Sequence, residues 1–325
     1  MLAVAIRKIN AIFMQKKSVI INITKILIAA GLLVFLIGYV KPARIAETFL
    51  HANYFYISLA VALSFFNVLL QYLKWKELCF SMLEVKDKKS IWYSLFYGFS
   101  AGITTPFRAG EYFGRAIPLK NTSMVKVTLA TAIDKLFPMF FLLFTGSVAS
   151  ILFLKKYYAI PEFMVWSLIL LTVILYTILL NLMNNRTFWK NFIFKKIKRI
   201  GFLSKQIEKL NVITRLNSQT TTRLSFFSLL FIITYTLQFT LLVLAFSPQS
   251  EFIYFFWASN LVMFTKSIIP PITFGELGIR EGVALFFFGA MGAADGAIFD
   301  ASMILFTINL VLPSVIGLFL LTKKS

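Results

Sequence analysis

One charged motif occurs twice in this sequence. The copies run Pro106-x-x-x-Gly110-Glu111-x-x-x-Arg115 and Pro271-x-x-x-Gly275-Glu276-x-x-x-Arg280. In each copy the Glu precedes the Arg by four residues, a spacing that puts both side chains on one helical face, where they attract each other. Charged residues among helix-breaking Pro and Gly, inside long apolar sequence, usually mark a functional site. The chemistry of the chain is therefore expected at these two segments.

The cations near the motifs could hold an anionic group. Arg presents a planar fork that matches phosphate oxygens, so we expect an anionic headgroup to be bound by Arg108, Arg115, Lys266 and Arg280. We assign gating or charge pairing to Glu111, Glu276, Glu281, Asp134 and Lys135. The alternative is that the Glu–Arg pairs only lock the local structure, and the sequence leaves both readings open.

The same segments must break a helix in apolar surroundings. The residues expected to do so are Pro106, Gly110, Pro270, Pro271, Gly275 and Gly278. Pro106 suits the first turn of a half-helix, where its missing N–H costs nothing, and Thr273 with Glu276 matches a capping box. Two half-helices would then direct free N–H groups towards the interior of the protein.

Composition places the chain in the membrane class. Hydrophobic residues make up 59% of it, charged residues only 14%, and the mean hydropathy is +0.81. The net charge of +20 could indicate nucleic-acid binding, but Lys and Arg clustered between apolar stretches are typical of cytoplasmic membrane loops. We expect no nucleic-acid partner. Because Cys79 and His51 are each the only residue of their type, we also expect no disulfide, no metal and no cofactor.

Apolar stretches of about 20 residues can span a bilayer as helices. Six qualify: Val19 to Gly38, Tyr54 to Tyr72, Val127 to Leu154, Pro161 to Leu182, Leu224 to Phe246 and Phe299 to Leu321. The stretches Ile91 to Lys120 and Phe252 to Ala290 each hold one motif and are expected to be re-entrant or broken helical hairpins. The predicted fold is an all-α polytopic membrane protein with six full spans plus two hairpins, or up to eight membrane segments.

Lys and Arg set the orientation. The loop after the second span, with Lys74, Lys76, Lys86, Lys88 and Lys89, and the basic loop 183–223 are both expected in the cytoplasm, as are both termini. Asp295 and Asp300 are expected to be surface acids near the outer end of the last span. Residues 1–156 and 157–325 then form two repeats of inverted topology, a plan common in secondary transporters.

At the motifs the sequence resembles the flippase-like membrane region of bacterial lysylphosphatidylglycerol synthases. The resemblance rests on Thr105 to Glu111 with Arg115, and on Pro270 to Gly282, whose Gly278-x-Arg280-Glu281-Gly282 ending is the more specific part. Asp134-Lys135 is similar to an acid–base pair in many members. Two positions depart from the family pattern: Glu276 stands where many members have Gly, and Pro138 replaces a later acid.

The resemblance covers essentially the whole chain and implies lipid handling. We expect a translocator of the cytoplasmic membrane that moves a phospholipid, an aminoacylated lipid or a lipid-linked glycan between leaflets, and not an enzyme, because no soluble synthase domain fits in the sequence. Its partners would be membrane lipids with anionic headgroups. Two alternatives stay open: an integral membrane transferase or hydrolase on a lipid-linked substrate, and a noncatalytic membrane partner of a lipid synthase.

Overall fold

The computed structural model describes residues 52–103, 105–185, 187–189, 196, 211–247, 251–269 and 278–322. Within these ranges the regular structure is helical throughout, as the apolar composition predicts. Ten α-helices carry the described fold: α1 Tyr54–Leu78, α2 Lys88–Ile103, α3 Gly110–Gly114, α4 Met124–Tyr158, α5 Glu162–Asn184, α6 Ser218–Phe246, α7 Phe252–Ile268, α8 Ile279–Ala290, α9 Asp295–Phe306 and α10 Leu312–Thr322. The protein is an all-α polytopic membrane protein.

Five helical segments of the described chain are long and apolar enough to cross a membrane. They are Tyr54–Leu83, Met124–Tyr158, Glu162–Asn184, Ser218–Phe246 and Asp295–Leu321. Four of them contain a whole predicted span, and Glu162–Asn184 begins one residue after the predicted start at Pro161. The sixth predicted span, Val19 to Gly38, and most of the basic loop 183–223 lie outside the described residues. The total number of spans therefore stays a prediction.

Two of the spans contain a π-helical turn. Residues Cys79–Leu83 extend α1 beyond its predicted end, and Thr307–Val311 join α9 to α10. Single π-turns inside α-helices often occur at functional sites. The second of these turns brings Asn309 towards the centre of the protein, as described below.

The first predicted hairpin is a tight reversal of the chain. Helix α2 begins after Asp87, whose carboxylate accepts hydrogen bonds from the Ser90 hydroxyl and from the backbone N–H groups of Lys89 and Ser90. These bonds lower the pKa of the Asp87 carboxyl. After a 3-10 turn at Pro106–Arg108, the short helix α3 returns along α2 in the opposite direction, with Gly110 against the Ala101 carbonyl and Gly114 against that of Tyr97.

The contact at Gly110 gives a stability prediction. A Cβ at this position would lie 2.0 Å from the Ala101 carbonyl oxygen, so Gly110→Ala must push α3 away from α2. We expect a loss of about 1–3 kcal/mol, the usual cost of overpacking, seen as a lower midpoint of thermal unfolding in detergent. Gly282→Ala is the matched control, because a Cβ there meets nothing within 4 Å. Equal midpoints for the two variants would contradict the close packing.

The second hairpin is formed by α7 and α8, which pack against each other. The connection that holds Pro270, Pro271, Gly275 and Glu276 lies outside the described residues, as does the predicted capping box. Helix α8 begins after Gly278, which has a positive φ of 85°. The Gly278 backbone N–H donates to Glu281 Oε2 over 2.6 Å, so Glu281 caps the described helix.

The hairpins are held by the long helices around them. Helix α10 packs along α2, where the Ser100 hydroxyl donates to the Ser314 carbonyl over 2.6 Å. Helix α4 packs against α7 at Gly146, which adjoins the ring of Phe264. Helices α1 and α6 pack together over much of their length. The last helix therefore supports the first hairpin, and α4, which follows the first hairpin, supports the second.

Candidate functional site

A chain of buried ion pairs surrounds the first motif. Arg115 is fully buried between two carboxylates, with Nη2 2.6 Å from Glu111 Oε1 and Nη1 2.9 Å from Asp134 Oδ2. On the other side of Asp134, Lys74 Nζ lies 3.2 Å from Oδ1. The Arg115 guanidinium also lies 4.4 Å from the centroid of the Trp75 ring. Because each buried charge here has an opposite charge in contact, the group can exist in an apolar interior.

Room for these side chains comes from α2. A Cβ at Gly98 would lie 2.6 Å from Arg115 Cγ and 3.3 Å from Glu111 Cγ. Gly102, one helical turn further on, faces Glu111 in the same way, with the Glu111 Cβ 3.4 Å from its ideal Cβ position. Small residues spaced by four let elements approach closely in membrane proteins. Here Gly98 and Gly102 leave space for the Glu111–Arg115 ion pair.

Two further cations reach Glu111. Lys135 Nζ lies 2.7 Å from Oε1, and Arg108 Nη2 lies 3.4 Å from Oε2. The Arg108 contact is the longer one, and its side chain is 29% exposed. Its buried Nε has no hydrogen-bond partner among the described residues. Arg108 is thus the cation of this group that is least committed to a carboxylate.

The backbone at Arg108 is held in an unusual conformation. Phe107 and Arg108 have positive φ angles of 56° and 53°, a region that costs a non-glycine residue about 1–3 kcal/mol. Such strained residues cluster at ligand clamps and switch regions. The conformation turns the chain between α2 and α3 and places the Arg108 side chain in the cavity described below.

Lys74 belongs to the site, although the sequence predicted it in a loop. It was expected in a cytoplasmic loop, but α1 continues to Leu78 and its π-turn to Leu83, so Lys74 lies in a helix and is buried against Asp134. The apolar residues Leu78, Cys79, Phe80, Met82 and Leu83 continue the span beyond Lys74, and they were the signal for a longer helix.

The second motif forms a smaller buried group. Arg280 Nη2 contacts Glu281 Oε1, Arg280 Nε donates to the Ser302 hydroxyl over 2.8 Å, and that hydroxyl donates to Glu281 Oε1 over 2.9 Å. The predicted partner Glu276 lies outside the described residues. Asp300, expected to be a surface acid, is instead buried on α9, two residues before Ser302.

Charged residues from both hairpins line two adjoining pockets, which together we call the central cavity. Its larger part, about 320 Å³, is lined by Gln71, Lys74, Arg108, Asp134, Lys135, Pro138, Met139, Leu142, Phe231, Ile232, Tyr235, Thr236, Met263, Lys266 and Ser267. Its smaller part, about 60 Å³, adds Phe99, Arg280, Phe306, Asn309 and Leu310. Arg108 from the first hairpin and Lys266 from the second line both parts. The two hairpins therefore meet at a common cavity.

The predicted headgroup-binding residues divide into two kinds. Arg108, Lys266 and Arg280 line the central cavity, whereas Arg115 does not line it and is fully buried between its two carboxylates. Lys266 Nζ also lies 5.6 Å from the centroid of the Tyr235 ring. Among the predicted pairing residues, Asp134 and Lys135 reach the cavity wall. Headgroup binding by Arg115 stays a prediction that this geometry does not favour.

A cluster of three side-chain amides, two of them buried, lies beside the smaller part of the cavity. Gln238 Oε1 accepts from Asn67 Nδ2 over 3.1 Å and from Asn309 Nδ2 over 2.8 Å. Gln238 Nε2 donates to the Ala60 carbonyl over 2.8 Å. The cluster joins α1, α6 and the π-turn Thr307–Val311, so it fixes the helices that carry the cavity wall. Amides within predicted spans were the sequence signal for it.

The fold and this site define a helical multi-pass membrane protein with a charged cavity to which both helical hairpins contribute cations. The chain belongs to the family described as the lysylphosphatidylglycerol synthase TM region, which matches residues 22–317. It is thus a membrane protein of a family linked to lipid handling. Among curated proteins, no match to this sequence is found.

Proposed function

We propose that this protein is a lipid translocator, in which the central cavity holds an anionic lipid headgroup while the lipid passes between the leaflets of the cytoplasmic membrane. The observation that carries the proposal is the shared lining by Arg108 and Lys266, one from each hairpin. A cation from each side gives a headgroup two points of attachment. Opening of either hairpin would then expose the bound headgroup to one leaflet.

The electrostatics support an anionic cargo. The cations Lys74, Arg108, Lys135, Lys266 and Arg280 line the cavity, and Asp134 is the one carboxylate among its described lining residues. Arg108 has a long contact with Glu111, and its buried Nε has no hydrogen-bond partner among the described residues. A phosphate in the cavity would accept hydrogen bonds from the Arg108 fork.

The walls also fit a lipid. Pro138, Met139, Leu142, Ile232 and Met263 form an apolar side of the larger part of the cavity. A ligand with a charged head and a hydrocarbon chain would use both kinds of lining. A soluble anion would use only the charged side. In the proposed orientation both termini lie in the cytoplasm, and the two hairpins enter the membrane from opposite faces.

The enzymatic alternative requires a carboxylate that is available as a base. Glu111 contacts Arg115 and Lys135, and Asp134 contacts Arg115 and Lys74. Both carboxylates are thus occupied by cations, which favours transport over catalysis as the proposal. A lipid synthase as partner remains compatible with it, since the translocator would move that enzyme's product.

Reconstitution tests the proposal. Purified protein in vesicles should speed the exchange of a fluorescent anionic phospholipid between leaflets, measured by dithionite quenching. Lys266→Ala should lower the protein-dependent rate about tenfold or more, the effect of losing a charged hydrogen bond worth about 1.5 kcal/mol or more. Lys155→Ala is the matched control, because Lys155 pairs with Glu162 on the surface. Exchange no faster than in protein-free vesicles would overturn the proposal.

A further inference from the structure

The last described span, Asp295–Leu321, is attached to both hairpins. Its first helix, α9, packs against α6 and α8. Ser302 on α9 accepts a hydrogen bond from Arg280 Nε and donates one to Glu281 Oε1. Its second helix, α10, packs mainly against α2 of the first hairpin. One span therefore supports the second hairpin with one half and the first hairpin with the other.

The attachment of α10 to α2 is close. The Ser100 hydroxyl donates to the Ser314 carbonyl over 2.6 Å, and the Ser314 hydroxyl donates to the Phe99 carbonyl over 3.1 Å. One turn further on, Gly317 adjoins the Phe96 carbonyl so closely that a Cβ would clash with it. Small residues and interhelical hydrogen bonds of this kind hold helices together in membranes. We therefore expect α10 to move together with the first hairpin.

Between α9 and α10 lies the π-turn Thr307–Val311. The Leu312 N–H bonds to the Thr307 carbonyl, five residues back, and Pro313 follows at once. Because Pro has no N–H and its ring clashes with the carbonyl four residues before it, a regular α-helix cannot continue through this position. None of the five residues of the turn is buried, so side-chain packing leaves it room to bend.

The turn also lies on the wall of the central cavity. Asn309 and Leu310 line the smaller part, beside Arg280. Asn309 Nδ2 donates to Gln238 Oε1 over 2.8 Å and to the Leu305 carbonyl over 3.3 Å. The Asn309 amide thus ties the turn to α6 and to the end of α9, and it does so at the cavity wall.

The geometry points to a hinge at this π-turn: the last span bends there when a hairpin opens, so that α9 stays with the second hairpin and α10 moves with the first. Large motions in proteins are usually absorbed by a few residues at the ends of helices. The Asn309 amide holds the hinge closed. The inference rests on the proposed function and names the place at which the fold bends to perform it.

Distances between spin labels test the hinge without a transport assay. Leu318 on α10, Trp92 on α2 and Phe286 on α8 are exposed, so each can be changed to Cys and labelled for pulsed electron paramagnetic resonance in nanodiscs of anionic phospholipid. We expect one narrow distance for Leu318→Cys with Trp92→Cys. For Leu318→Cys with Phe286→Cys we expect two distances or a clearly broader distribution. A single narrow distance in the second pair, or a broad distribution in the first, would overturn the hinge.

A second measurement removes the hinge. Deletion of Val311 brings the Leu312 N–H and the Thr307 carbonyl to the four-residue spacing of an α-helix, and Pro313→Ala in the same variant supplies the missing N–H. The cavity residues of the turn and the register of α10 on α2 are kept. The variant should stay folded, with an unfolding midpoint no lower than that of wild type, and should exchange anionic phospholipid about tenfold more slowly.

Deletion of Phe80 is the matched control. It makes the same change in the other π-turn, Cys79–Leu83, which does not line the central cavity, and it should leave the exchange rate unchanged. A wild-type rate in the folded Val311 variant, or an equal loss in the Phe80 variant, would overturn the hinge and leave the translocator proposal intact. Wild-type protein that exchanges no lipid would overturn the translocator proposal, while the label distances still decide whether the span bends.

Discussion

Replacement of Arg108 by Ala should abolish most lipid exchange while the protein stays folded. Arg108 lines both parts of the central cavity, and its ion pair with Glu111 is long at 3.4 Å. Glu111 keeps Arg115 and Lys135 as partners when Arg108 is removed. Loss of a bidentate contact with phosphate, worth about 1.5–3 kcal/mol, should slow exchange about 10- to 150-fold.

The measurement is the exchange rate of a fluorescent anionic phospholipid in vesicles, beside the unfolding midpoint in detergent. Arg223→Ala is the matched control, because Arg223 is half exposed and pairs with Glu77 on the surface. Arg108→Lys, which keeps the charge but loses the fork, should fall between wild type and Arg108→Ala. A wild-type rate for a folded Arg108→Ala protein would remove the residue from the transport route.

Asp134→Ala should have the largest effect on stability. Asp134 joins Lys74 on α1 to Arg115 beside α3, and all three side chains are buried. Without it, Lys74 loses its carboxylate and Arg115 keeps only Glu111. Removing one partner of a buried ion pair costs about 3–5 kcal/mol, because an uncompensated charge is left inside. We expect low yield, aggregation in size-exclusion chromatography and a strongly lowered unfolding midpoint.

Glu162→Ala should leave the unfolding midpoint nearly unchanged, since its pair with Lys155 is on the surface and such pairs are worth about 0–1 kcal/mol. Adding Lys74→Met to Asp134→Ala should restore part of the stability, because the double variant removes the cation that lost its partner. A double variant less stable than Asp134→Ala alone would contradict the electrostatic explanation.

The sequence predicted the apolar architecture well, because hydropathy and length decide which segments can span a bilayer. Each described span overlaps its predicted stretch almost completely, and most ends differ by a few residues. Helix α1 is the exception that matters for the site. Because Lys74 is charged, the span was predicted to end at Tyr72 and a loop to follow. The helix instead continues for eleven residues beyond Tyr72, first as α-helix and then as a π-turn, to Leu83.

The sequence predicted many of the site residues but few of the contacts between them. The motif spacing indicated the Glu111–Arg115 pair, and its atoms lie 2.6 Å apart. The contacts of Arg115 with Asp134, and of Asp134 with Lys74, join segments far apart in sequence, which no local spacing reveals. Likewise, the choice of Glu281 as partner of Arg280 depends on the turn at Gly278 and on Ser302 from α9.

Blocking the central cavity tests its role in transport most directly. Cys79 is the only cysteine of the chain and is buried. A cysteine introduced at an exposed position would therefore be the one that reacts with a thiol reagent. Met139 lines the cavity and is 48% exposed, and Met164 on α5 is not among the lining residues and is 45% exposed. Each would be changed to Cys, labelled in detergent with a bulky methanethiosulfonate, and reconstituted.

The rate of anionic phospholipid exchange is then compared before and after labelling. We expect labelled Met139→Cys to lose transport about tenfold or more, equivalent to about 1.4 kcal/mol or more, and labelled Met164→Cys to keep its rate. Release of the label by a reductant should restore the first protein. An unchanged rate in fully labelled Met139→Cys would show that lipids do not pass through the central cavity.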